Sequence, residues 1–121
     1  METTGLSLGR VIERFDIEFL EEAAAFLNTL PAKTKDKVLY NMQKARVLND
    51  PELFKKINEH IWEFRTHYDG AQLRFLAFWV QRGGQRALIL ATHGFTKKTS
   101  RVPDREIAHA LQLRLQYLKG T

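Results

Sequence analysis

Apolar residues recur at three- and four-residue spacing in the first half of the chain and at two-residue spacing in the second, so the pattern predicts helices first and strands after. Leu20, Ala23, Ala24, Leu27 and Leu30 mark a first helix over about 17–30, which Pro31 ends. Val38, Leu39, Met42, Ala45 and Leu48 form the apolar stripe of a second helix over about 33–48, with Lys33, Lys35, Lys37 and Lys44 mostly on its solvated side. The short connection implies an antiparallel helical hairpin. Asn49-Asp50-Pro51 reads as a turn, and Glu52 to Ile57 as a further helical turn. Upstream, Val11 to Phe15 alternates apolar and charged residues like an edge strand.

From Ile61 the period is two. Trp62, Phe64, Thr66 and Tyr68 share one strand face, and Ile61, Glu63, Arg65 and His67 the other. Asp69-Gly70 is a hairpin signal, Leu73 to Val80 is apolar except for Arg74, and Gly83-Gly84 marks a second turn before the strand Ala87 to Ala91. Three adjacent antiparallel strands follow from this. Ile107, Ala110, Leu111, Leu115 and Leu118 then mark a last helix, with Pro103 in its first turn. The expected fold class is α+β: an N-terminal helical hairpin packed on a small antiparallel sheet, closed by a C-terminal helix, with residues 1–121 as one domain.

Charge is divided unevenly along this order. Residues 1–63 carry 9 Lys and Arg against 11 Asp and Glu, whereas residues 64–121 carry 10 against 3. A basic half attracts polyanions, nucleic acid above all, without reading base sequence. With no cysteine in the chain, disulfides and thiolate metal sites are excluded. Four scattered histidines without ligand spacing argue against a histidine metal site, and no cofactor is expected. No apolar run reaches the roughly 20 residues that span a bilayer, so a cytoplasmic protein without membrane contact is expected.

The segment His93-Gly94-Phe95-Thr96-Lys97-Lys98-Thr99-Ser100-Arg101 joins the last strand to the last helix. Cations gathered at a strand end suit phosphate. Arg74, the one charge in an apolar strand, either binds an anionic ligand or pairs with Glu63 or Asp69 on the strand before it. Arg65 either lines the same groove across the hairpin or serves only solubility. Lys97 and Lys98 are phosphate clamps or solvated charge, and one with a lowered pKa suits a general base. Arg101 belongs to this cluster as a steering charge. His93 titrates near neutrality and is either an acid-base group or a packed strand-end residue, and the same choice applies to His67.

The blocks Trp62-Glu63-Phe64-Arg65, Leu73-Arg74-Phe75-Leu76-Ala77-Phe78, His93 to Thr99 and Pro103-Asp104-Arg105-Glu106-Ile107, in this order, resemble the RelE/HigB superfamily of toxin components, in its phage-related HigB-like branch. The resemblance implies a toxin of a type II toxin-antitoxin system: a metal-independent endoribonuclease that cuts mRNA on the ribosome. Its expected partners are mRNA, the ribosome and a cognate helix-turn-helix antitoxin, with operator DNA reached only through the antitoxin. It implies catalytic roles for Arg74, Lys97, Lys98 and His93, and RNA contacts for Arg65, His67 and Arg101. The chain departs from many RelE-like nucleases in its C-terminal segment, where the late tyrosine, Tyr117, sits on an apolar helical face and suits core packing. The alternatives are a ParE-like inhibitor of DNA gyrase and a noncatalytic nucleic-acid-binding module.

Overall fold

The computed structural model describes residues 12–120. In chain order these form β1 (Phe15–Phe19), α1 (Glu21–Thr29), α2 (Ala32–Val47), β2 (Phe54–Lys56), β3 (Trp62–Tyr68), β4 (Ala71–Val80), β5 (Ala87–Thr96) and α3 (Asp104–Lys119). The strands make one sheet in the order β1-β5-β4-β3-β2. β1 runs parallel to β5, and the other neighbours are antiparallel.

This corrects the expected fold class. A five-stranded mixed sheet is the central element, and the helices are not an N-terminal hairpin on a small antiparallel sheet. α1 rests mainly on β5, and α2 on β3. Leu30 and Pro31 between them are both extended, with ψ of 147° and 149°. The chain therefore steps sideways across the sheet between the helices.

The first strand lies later in the chain than expected, at Phe15–Phe19, and α1 begins at Glu21 rather than near Ile17. Residues 15–19 alternate Phe, Asp, Ile, Glu and Phe, and their registry with Ala87 to Ala91 fixes them as a strand. Val11, assigned above to an edge strand, lies outside the described residues. Glu52 to Ile57 is likewise no helical turn. Phe54 stacks on Phe64 at 4.3 Å and on Trp62 at 4.9 Å, a cross-strand aromatic set that holds β2 against β3. The Asp69-Gly70 hairpin forms as its sequence predicts, with φ of 52° and 79°.

The two sheet faces carry separate cores. Phe15, Phe64, Leu73, Phe75, Ala77 and Ile89 pack beneath Ala23 and Leu27 of α1 and Val38, Met42 and Ala45 of α2. On the other face Leu76, Phe78, Leu88 and Leu90 meet Ala110 of α3, and Tyr117 sets its ring edge-on to Phe78 at 5.7 Å. Gly94 is required for close approach, since a Cβ there would stand 2.4 Å from the Phe26 ring and 2.8 Å from that of Phe75.

An ion-pair network fastens the β1 edge. Asp16 reaches Arg46 of α2 at 3.0 Å and Arg82 at 2.7 Å, and Glu13 reaches Arg86 at 3.1 Å. The bond from Arg82 is the chief reason that the Asp16 carboxyl titrates below its usual range. Arg82 and Arg86 thus serve the acidic half of the chain, and part of the charge imbalance is internal complementarity.

Candidate nucleic-acid interface

Strand register decides which charges meet. Arg65 lies opposite Arg74, Glu63 opposite Leu76 and Lys55 opposite Glu63, so all four polar side chains belong to the face that α3 partly covers. α3 shields the β4–β5 part of that face and stops short of β2 and β3. What remains open is a hollow of about 270 Å³ lined by Lys55, Glu63, Arg65, Lys97, Arg101 and Ile107 among others.

At its floor, Glu63 is buried beside Arg65 and Arg74. Its Oε1 is 3.5 Å from Arg65 Nε, and its Oε2 is 3.5 Å from Arg74 Nε. Neither distance makes a hydrogen bond; Oε2 of Glu63 and both Nε atoms lack partners. Arg74 donates instead through Nη1 to the Leu73 carbonyl at 3.0 Å and through Nη2 to Gln72 Oε1 at 3.1 Å. Two guanidinium groups against one carboxylate leave a local excess of positive charge. Burial lowers the pKa of Arg74, and Glu63 partly opposes this; an arginine stays charged regardless.

Lys97 stands over this floor, its backbone N–H donating to the Gln72 carbonyl at 2.7 Å. Its pKa is lowered, first by burial and then by Arg74, with Arg65 and Lys55 adding repulsion and Glu63 opposing. A lysine so placed gives up its proton more readily than one on an open surface.

The remaining sequence candidates separate from this group. Lys98 is exposed and lines a neighbouring hollow with Lys97, Thr99, Arg105 and Glu106, but does not line the Glu63 hollow. Arg101 lines the Glu63 hollow and pairs with Asp104 at 3.0 Å. His67 lies in a third hollow, shared with Asn41, Gln72, Arg65 and Arg74 on the opposite side of the Arg65 ridge.

His93 is enclosed between β5 and α3. Its Nε2 is 3.0 Å from Glu106 Oε1 and its Nδ1 is 3.1 Å from Thr92 Oγ1. A bulge brings Thr92 beside it: Leu76 pairs with His93 and Ala77 with Ala91, which leaves Thr92 as the extra residue. The Thr92 hydroxyl also lies 3.1 Å from the Leu76 carbonyl, and it has only one proton to give. That proton goes to the Leu76 carbonyl, which can only accept, so Thr92 Oγ1 accepts from Nδ1–H, and a ring that also donates to Glu106 through Nε2 carries both protons. Burial lowers the pKa of His93 and Glu106 opposes this, so desolvation works against the proton that the two acceptors draw onto the ring. His93 therefore holds α3 on the sheet, a structural position left open by the sequence.

Glu63 is the residue whose part in the hollow the sequence understated. It was legible only as a mate for Arg74, because register alone shows that Arg65, Lys55 and Lys97 surround it too. Among the described residues no group of three His, Cys, Asp or Glu side chains is arranged to hold a metal. None of the helices among them is long and apolar enough to cross a membrane.

The sequence profile of the family described as Phage derived protein Gp49-like (DUF891) matches residues 25–115. That family includes toxins of toxin-antitoxin systems. No curated protein matches the chain.

Proposed function

From the premise that this chain belongs to the Gp49-like family of phage-derived proteins, we propose that it is a toxin that cleaves mRNA on the ribosome in the cytoplasm and is neutralised by a helix-turn-helix antitoxin, through which alone it reaches operator DNA. The observation that carries this reading is the convergence of Lys55, Arg65, Lys97 and Arg101 on one hollow above the buried Glu63–Arg74 pair.

RNA cleavage without a metal needs the ribose 2′-OH to lose its proton as its oxygen bonds to the adjacent phosphorus. The bond to the departing 5′ oxygen then breaks and that oxygen takes up a proton, leaving a 2′,3′-cyclic phosphate. Lys97 is the proton acceptor, because its burial and its cationic neighbours favour the neutral amine. Arg65 supplies a planar donor to the nonbridging oxygens, where charge accumulates. Arg74 adds fixed positive charge from the floor. Glu63 holds the two guanidinium groups side by side and limits their mutual repulsion. The ribosome holds the message in a near-attack shape and contributes orientation. The buried His93, held between Thr92 and Glu106, has no part in proton transfer in this reading, and Lys98 and His67 bind flanking phosphates.

The test is induced expression in a bacterium with and without the neighbouring antitoxin frame, mapping the 5′ ends of ribosome-bound message. Growth arrest with new message ends, both lost in Lys97→Ala and Arg65→Ala, is the expected result. Arrest with intact message and broken chromosomal DNA would sink the proposal in favour of gyrase poisoning.

A further inference from the structure

α2 carries five cations and a single carboxylate, Asp36. Three of the cations, Lys33, Lys37 and Lys44, follow one another at helical spacing along one flank, with Tyr40 between them. Tyr40 is 59% exposed, a large aromatic surface left in solvent. The Lys37 ammonium lies 5.2 Å from its ring centroid and that of Lys44 5.5 Å away. An upright aromatic ring between two ammonium groups matches the alternation of bases and phosphates in a single strand.

The position of this flank connects it to the hollow. Asn41 follows Lys37 by four residues and precedes Lys44 by three, so all three share a side of the helix. The Asn41 amide donates to Thr66 Oγ1 of β3 at 3.1 Å, and Asn41 lines the same hollow as Arg65, His67 and Arg74, in which Glu52 is the one acid. The Arg65 N–H still bonds the Leu53 carbonyl, and β2 pairs only with Trp62 to Phe64, so β3 beyond Arg65 is free of β2 and leaves room for a chain passing around it. A basic path therefore runs from Lys97 and Arg65, past His67 and Asn41, to Lys37 and Lys44.

We infer that α2 is a second binding surface for single-stranded nucleic acid, with Tyr40 stacking on a base that flanks the cleavage hollow and Lys37 and Lys44 taking the phosphates on either side. Its role as a guide for message rests on the nuclease reading above, but the surface is testable apart from it. A strand leaving the hollow by this route crosses the open end of β3 and is held where no cutting group stands. α2 then sets how long a piece of message the protein grips, while the hollow sets where it is cut.

The probe is a single-stranded deoxyoligonucleotide of about twelve nucleotides, which lacks the 2′-OH and is not cut by this chemistry. Binding is followed by fluorescence anisotropy over a range of salt. Tyr40→Ala should weaken binding about five- to tenfold, while Tyr40→Phe keeps it. Lys37→Ala with Lys44→Ala should weaken it further and flatten the log-log salt dependence by about 0.7 for each lysine. All three positions lie on the solvent-facing flank of α2, and circular dichroism checks that the variants fold. Wild-type affinity in Tyr40→Ala and in the lysine pair overturns the inference, as does absence of binding by the wild type or equal binding of duplex. If message stays uncut in cells while oligonucleotide binding still depends on Tyr40, the α2 surface stands and the nuclease reading falls.

Discussion

The two faces of the sheet are built from the same strands and come out chemically opposite. Beneath α1 and α2, the inward residues of β3, β4 and β5 form an aromatic core, with Phe75 meeting Phe19 and Phe26 edge-on at 6.0 and 5.6 Å. Across the sheet, alternate residues of the same strands are Glu63, Arg65 and Arg74, then Leu76 and Phe78 where α3 arrives. Coverage makes the difference. One helix screens less of a sheet than two, and the uncovered part holds charge at the edge of the dry region, where ion pairs are strong and solvent still reaches them.

This contrast is broken most severely by exchanging what each face is allowed to lose. Lys97→Ala should reduce message cleavage about 10²- to 10⁴-fold, the ordinary range for losing a proton-transfer group, and leave the thermal midpoint unchanged. Because the Lys97 pKa is lowered, wild-type cleavage should rise with pH and level off below the pH at which an ordinary lysine loses its proton. Lys97→Arg keeps the charge and should abolish that rise. A single-turnover pH profile with the same slope in Lys97→Arg would remove Lys97 from the chemistry.

Phe75→Ala should do the reverse. Phe75 is 1% exposed and its ring packs with Phe19 and Phe26 in the core under α1 and α2, so its loss should cost about 3–5 kcal/mol in urea unfolding. At a protein concentration and temperature where that variant is folded, cleavage should be close to wild type. Equal losses of stability and activity would mean that the faces are not independent.

A smaller and more local effect is expected at Gly94. Adding a methyl group there crowds the rings of Phe26 and Phe75, and overpacking of this kind costs about 1–3 kcal/mol. Phe26→Leu should recover part of the loss by clearing the nearer ring. Failure of that rescue would place the strain in the β5 backbone.

How much of this was legible follows from what one sequence period can say. The strands from Trp62 onward were readable because their alternation and the Asp69-Gly70 turn agree. β1 was not, because Ile17 also continues the three- and four-residue spacing of Leu20, Ala23 and Leu27 and so reads as helix. A period cannot choose a partner, and the parallel pairing of β1 with β5 joins positions about seventy residues apart. At the site, Arg74 and Lys97 stood out as residue types in unusual company. Their convergence required the register of three strands, and Arg74 proved to be paired with Glu63, one of the two mates its sequence allowed. Lys98 adjoins Lys97 in sequence and shares one hollow with it, yet of the two only Lys97 also lines the Glu63 hollow.

The gentlest way to sharpen the comparison is acid, because a buried titratable contact, His93 with Glu106, adds to the apolar contacts that hold α3. His93 faces Glu106 through Nε2 and Thr92 through Nδ1, its ring lies 4.7 Å from that of His109, and His109 reaches Glu22 of α1 at 2.7 Å. The folded pKa of His93 is lowered, so below the ordinary histidine value near 6.5 the unfolded chain binds a proton that the folded chain does not. Its contribution to stability is then complete above that value and is lost as the pH falls toward the folded pKa, by up to about 1.4 kcal/mol per pH unit. Acidification from neutrality should loosen α3 before α1 and α2, seen as earlier loss of hydrogen-exchange protection in Ile107 to Leu111 than in Val38 to Met42. His93→Gln should remove most of the pH dependence in that window while keeping a donor toward Glu106. If the wild type instead gains stability on acidification, the charged pair of His93 with Glu106 outweighs the cost of burying it.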